Sequence, residues 1–172
     1  MTEGPGHIVL IGLMGSGKTT VGHGLAGALE RPLRDSDADL LARTGRSARD
    51  IAAGDGIAAL HELELTHLLE SLASPEPAVI AAAAAVIDAP EGRAALAAPS
   101  VRVAWLRIDP DTAVRRGRGG THRPDHDLVA QAARRDPWFA AVADVAVDVT
   151  ADDALSVVAR LHGWASTIES TR

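Results

Sequence analysis

The chain is predicted to be an α/β protein whose mostly parallel sheet is covered by helices on both faces. Short apolar, β-branched runs that end at Gly or Asp alternate with stretches of helical period along the sequence. That alternation calls for right-handed crossovers between parallel strands. At 172 residues the chain is long enough for one sizeable core and short for two, so a single domain over 1–172 is expected.

The first run, His7 to Ile11, stops at Gly12 and reads as a buried strand entering a loop. From Lys18 to Glu30, Val21, Leu25, Ala28 and Leu29 recur at helical spacing, and Pro32 closes the segment. A second strand ends at Leu33-Arg34-Asp35. Helical stretches follow over 38–43, 47–53 and 57–72, with breaks expected at Gly45, Gly54 and Gly56. Ala78 to Ala81 reads as a third strand, Val101 to Leu106 as a fourth and Ala146 to Val149 as a fifth. The stretch from Arg115 to Pro124 is dense in Arg and Gly and cannot pack as core. Alone it would be a solvated loop, but beside a phosphate site it reads as a mobile cationic flap, about 115–126, that closes over a nucleotide.

Composition narrows the function. A net charge of −6 argues against a broad grip on nucleic acid or on an anionic membrane. With no cysteine, thiolate metal sites and Cys nucleophiles are excluded. No signal-peptide pattern or 18-residue apolar run is present, so a soluble cytoplasmic protein is expected; a monomer acting on a small molecule is the further expectation. Among 17 basic residues the one lysine is Lys18, and its position is informative.

Gly12-Leu13-Met14-Gly15-Ser16-Gly17-Lys18-Thr19 matches G-x-x-x-x-G-K-[ST] at every fixed position, between a predicted strand and a predicted helix. Glycines let successive N–H groups turn toward phosphate oxygens, the helix N-terminus adds positive potential, and the Lys18 ammonium reaches the β- and γ-phosphates. The Thr19 hydroxyl is placed for Mg²⁺. A Gly-rich turn that binds nothing is the plain alternative, and a lone lysine in an Arg-rich chain argues against it. By itself the loop fits a kinase, a GTPase, an ATPase or a nucleotide sensor equally.

Asp35-Ser36-Asp37 stands at the carboxyl end of the second strand, where α/β sheets bind ligands. In an extended segment the two carboxylates point the same way, one to support Mg²⁺ and one to accept a hydroxyl proton. Alternatively they form a helix cap, with Asp37 as the N-cap residue.

Taken with Thr20-Val21-Gly22, Thr44-Gly45-Arg46-Ser47, Asp50-Ile51, Asp55-Gly56, Glu64, Arg123-Pro124, Arg135-Asp136-Pro137 and the run Val142 to Asp148, these residues resemble the shikimate kinase family over nearly the whole chain. The resemblance implies a P-loop kinase fold, a three-layer sandwich with a five-stranded parallel sheet. It implies phosphoryl transfer from ATP, with Mg²⁺, to a hydroxyl of shikimate, giving shikimate 3-phosphate. By the same resemblance Gly12, Met14, Gly15, Ser16, Gly17, Lys18, Thr19 and Thr20 hold the nucleotide, and Asp35 and Thr19 support the metal. Asp37 meets the acceptor hydroxyl, Arg123 the phosphates, Arg116 the adenine and Arg135 the acceptor carboxylate; Lys18, Asp37 and Arg123 are the expected catalytic groups.

The departures cluster on the acceptor side. His61 stands where the family carries an Arg that grips the carboxylate, and Ala83-Ala84-Ala85 replaces a glycine triplet at the pocket floor. Ala52 and Leu60 replace aromatics, and a basic residue expected after Thr150 is absent. A histidine with an ordinary pKa of about 6.5 is charged only part of the time near neutrality, and an added Cβ narrows the floor. His61 is also spaced i,i+3 from Glu64, as a simple surface pair would be. Two alternatives therefore stand beside shikimate phosphorylation: the same transfer to a different hydroxyl compound, and a nucleotide-binding module without catalysis. Retention of Asp37 argues against the second, since a sensor has no use for a proton acceptor.

Overall fold

The computed structural model describes residues 6–117 and 127–170. Five strands, β1 (His7–Ile11), β2 (Leu33–Asp35), β3 (Val79–Ala81), β4 (Val101–Arg107) and β5 (Val145–Asp148), form one sheet in the order β2-β3-β1-β4-β5. Every pairing is parallel. All five residues of β1 and all three of β3 are buried, so both faces of the sheet are covered, as continuous apolar strands require.

The helices read from the sequence are present with shifted ends. They are α1 (Lys18–Ala28), α2 (Ser36–Thr44), α3 (Ala48–Asp55) and α4 (Ile57–Ala73). Gly45 and Gly56 end α2 and α3, whereas Gly54 lies inside α3 and breaks nothing. The turn from α2 to α3 is fixed by polar caps. Ser47 and Asp50 form a reciprocal capping box, and Arg46 reaches forward to Asp55 at 2.7 Å. Much of the motif shared with the family around 44–55 is thus helix-end hardware.

Beyond the elements read from the sequence, the structure adds a 3-10 turn (Ala84–Asp88), α5 (Pro90–Leu96), α6 (Pro110–Gly117), α7 (Leu128–Val142) and α8 (Ala154–Ser170). Arg115 and Arg116 therefore belong to the last turn of α6 and not to a flap. The rest of the expected flap, 118–126 with Arg123, lies outside the described residues.

The main core joins β1, β3 and β4 to aliphatic side chains of α1 and α8 and to Phe139, which meets Trp105 at 5.9 Å between ring centres. A separate cluster of Leu40, Ile51 and Leu60 ties α2, α3 and α4 together. Leu60, at a position where the family has an aromatic, is 3% exposed and packs in this small core.

Close backbone approach requires a glycine at position 92. A Cβ on Gly92 would lie 2.1 Å from the Val86 carbonyl oxygen, so α5 can lie against the 3-10 turn only without a side chain there. Gly92→Ala should destabilise by about 1–3 kcal/mol, the usual cost of overpacking. Gly27→Ala in α1, where a Cβ meets nothing within 4 Å, should be neutral or stabilising by up to about 1 kcal/mol. Denaturant midpoints of the two variants check the pair.

Candidate active site

The carboxyl ends of the strands open onto a cleft of about 770 Å³. The loop after β1, the end of β2, the segment after β3 and the residues after β5 all contribute to its walls.

In the loop between β1 and α1, Gly12 has φ +145° and Gly15 φ +85°. A Cβ on Gly12 would come within 2.5 Å of the Leu106 carbonyl oxygen, and one on Gly15 within 2.8 Å of that of Ala113. These glycines therefore satisfy both the turn and its packing against β4 and α6. Ser16 is 1% exposed, and among the described residues its hydroxyl has no hydrogen-bond partner, an orphan donor inside the loop. A phosphate oxygen at this helix N-terminus would satisfy it.

Lys18 is half-buried along its length, and its ammonium folds back to donate to the carbonyls of Gly12 (2.8 Å) and Leu13 (2.9 Å). Burial of the ammonium lowers its pKa to about 8, against the opposing pull of Asp37 and then Asp35; Arg135 adds to the lowering and Glu64 opposes it. The Thr19 hydroxyl donates to Asp35 Oδ2 at 2.7 Å. Asp35 is 5% exposed, and its other oxygen accepts from the Ala38 amide at 3.0 Å.

The helix cap is therefore Asp35, and Asp37 lies in the first turn of α2 and is exposed. This corrects the expectation that Asp37 caps the helix and that both carboxylates lie in an extended segment. The correction separates their roles: Asp35 is locked by two hydrogen bonds, whereas Asp37 faces the cleft.

Of the residues singled out from the sequence, Met14, Gly15, Ser16, Gly17, Lys18, Thr19, Thr20, Asp35, Asp37, His61, Ala83, Ala84, Ala85, Arg116 and Arg135 all line the cleft. Gly12 lies beneath the loop, against Leu106 and Ser16. Arg116 donates to the carbonyls of Val149 (3.0 Å) and Thr150 (3.3 Å) and so joins α6 to the loop after β5. Arg135 in α7 is 5% exposed and held by Asp88 and Gln131. The sequence offers a hint of Gln131, four residues before Arg135 on one helix face. It offers none of Asp88, which is 47 residues away.

The family model for shikimate kinase matches residues 14–164. The chain belongs to the shikimate kinase family. It is 34% identical over 166 residues to the shikimate kinase of Moorella thermoacetica, covering 89% of this chain and 90% of that one. To that of Symbiobacterium thermophilum it is 37% identical over 164 residues, covering 90% and 93%. The solved shikimate kinase from Acinetobacter baumannii in complex with shikimate superimposes with a TM-score of 0.87 at 26% identity, over 97% and 96% of the two chains. The protein is thus an ATP-dependent small-molecule kinase with the five-stranded P-loop fold.

The lowered pKa of Lys18 has a measurable consequence. The pH dependence of kcat/KM reports groups of the free enzyme, and Lys18 carries its charge below about pH 8 and loses it above. With a neutral amine less able to attract phosphate, kcat/KM for MgATP should hold up to about pH 8 and then fall roughly tenfold per unit. A profile level to pH 10 would mean that the ammonium is not held out of water.

Proposed function

We propose that this protein transfers the γ-phosphoryl group of ATP to a hydroxyl of shikimate, with Mg²⁺, giving shikimate 3-phosphate and ADP. The observation that carries the reading is that Lys18 of the phosphate loop and the exposed Asp37 carboxylate line one cleft. Of the charges acting on Lys18, the exposed Asp37 carboxylate pulls hardest. A carboxylate that can serve as proton acceptor thus shares the cleft with the cation of the phosphate loop, which supports the assignment of phosphoryl transfer to a hydroxyl.

The donor set fits MgATP. The loop amides from Met14 to Thr20, the orphan Ser16 hydroxyl and Lys18 would hold the phosphates, and Thr19 with Asp35 would hold the metal. When bound, MgATP supplies the phosphoryl group and the metal charge on it. Asp37 takes the proton from the acceptor hydroxyl as its oxygen bonds to phosphorus and the bond to the ADP oxygen breaks. Lys18, turned from the Gly12 and Leu13 carbonyls toward the transferring oxygens, would stabilise the charge that develops there. Arg116 would lie at the adenine end; Arg123, to which the family resemblance gives a role toward the phosphates, lies outside the described residues. Arg135 and His61 would face the acceptor, above a floor of Ala83, Ala84 and Ala85. Family kinship also supports a cytoplasmic monomer.

Coupled ADP release with shikimate as acceptor tests the assignment. Lys18→Ala should abolish turnover. Asp37→Asn should leave nucleotide affinity within a few-fold and cut kcat by roughly 10²-fold or more, as loss of a general base does. Equal, small losses in both variants, or no turnover of shikimate by the unmutated protein, would remove this reading.

A further inference from the structure

We propose that Asp88 is a specificity-determining residue that occupies the Arg135 guanidinium from within the protein, so that the acceptor pocket grips a substrate carboxylate weakly. The inference rests on the function proposed above.

The geometry is a side-on fork. Arg135 Nε donates to Asp88 Oδ1 at 3.0 Å and Nη2 to Oδ2 at 2.6 Å, while Nη1 donates to Gln131 Oε1 at 2.7 Å. A guanidinium has five N–H groups. Among the described residues three are thus engaged, and two remain for a ligand. Arg134 also reaches Asp88 Oδ2, at 3.3 Å, so one carboxylate answers two cations at the cleft wall.

Asp88 is ionised and held in place. Burial pushes its carboxyl up, but the hydrogen bond and charge of Arg135, with Arg134, outweigh it and hold the pKa below the usual range. It closes the 3-10 turn that starts within the alanine triplet. The carbonyls of Ile87 and Asp88 accept from Arg93 Nη1 at 2.8 and 3.0 Å, and Arg93 rests 4.0 Å from the Trp138 ring centre. These contacts oppose displacement of the turn by an incoming carboxylate. It must share Arg135 with a fixed like charge, which opposes binding.

Acceptor recognition then falls on hydroxyl contacts more than on the carboxylate. The chemical class that fits is a cyclic polyol for which the acid group is helpful but not required.

The test compares shikimate with its uncharged carboxamide as acceptors, by kcat/KM and by equilibrium binding, in the unmutated protein and in Asp88→Asn. The unmutated protein should prefer the acid by no more than about tenfold, well short of the 10⁴-fold discrimination that a site built around one polar group attains. Asp88→Asn should raise the acid-to-amide ratio roughly tenfold or more, the scale of a hydrogen bond to a charged group, with the change in KM for the acid. A general structural defect would move both acceptors together. A thousandfold preference for the acid in the unmutated protein would overturn the inference even if the variant did not fold. So would a rise in KM for the acid, or an unchanged ratio, in Asp88→Asn. Turnover with an unchanged ratio leaves the assigned function standing; no turnover of either acceptor by either protein overturns both.

Discussion

The site depends on β1 being paired in parallel on both sides, with β3 and with β4. Parallel pairing sends the carboxyl ends of all five strands to one edge of the sheet, so segments far apart in sequence must meet there. Burial of β1 on both faces leaves it no freedom to slip, because a one-residue shift would move its side chains to the wrong layer. The loop at its end is thereby fixed relative to Asp35 at the end of β2. The Thr19–Asp35 hydrogen bond records that fixed distance.

How much of this could be read from the sequence follows from the range of the interactions involved. The strands and the first four helices announce themselves through local period and through Gly and Pro, and their ends differ from expectation by one or two residues, where caps decide. Asp35 supplied a cap that pattern alone assigned to Asp37, since either carboxylate fits a motif of that spacing. The helices after β3 are silent for another reason. Their sequences are Ala-rich, so apolar and neutral positions blur, and α7 runs through Pro137, a residue that normally stops a helix. The nucleotide half of the site was legible because its chemistry is local, eight consecutive residues forming one loop. The pairing of Arg135 with Asp88 was not, because only the crossing of α7 over the 3-10 turn brings them together.

The two halves of the cleft also differ in what they can tolerate, and this accounts for where the chain departs from its family. The phosphate half is built from backbone: its glycines sit against the carbonyls of Leu106 and Ala113, so a side chain there would disrupt core packing as well as ligand contact. Substitution in that loop costs stability and function at once. The proposed acceptor half is built from side chains on α4, the 3-10 turn and α7, and the small core of Leu40, Ile51 and Leu60, which α4 shares, is distinct from the main one. His61, on the helix that carries Leu60 of the small core, can therefore change with little effect on the sheet, whereas the 3-10 turn and α7 also bring Val86, Ile87 and Phe139 into the main core. A fold divided in this way keeps phosphoryl transfer constant while the charge offered to the acceptor drifts. Arg135 shows the limit of that drift: at 5% exposure its cation needs a permanent partner whenever no ligand is present, and Asp88 provides one. The same ion pair that makes a buried arginine tolerable in the empty enzyme lessens its attraction for an anionic acceptor, so stability of the free protein and strength of acceptor binding are set against each other at one carboxylate.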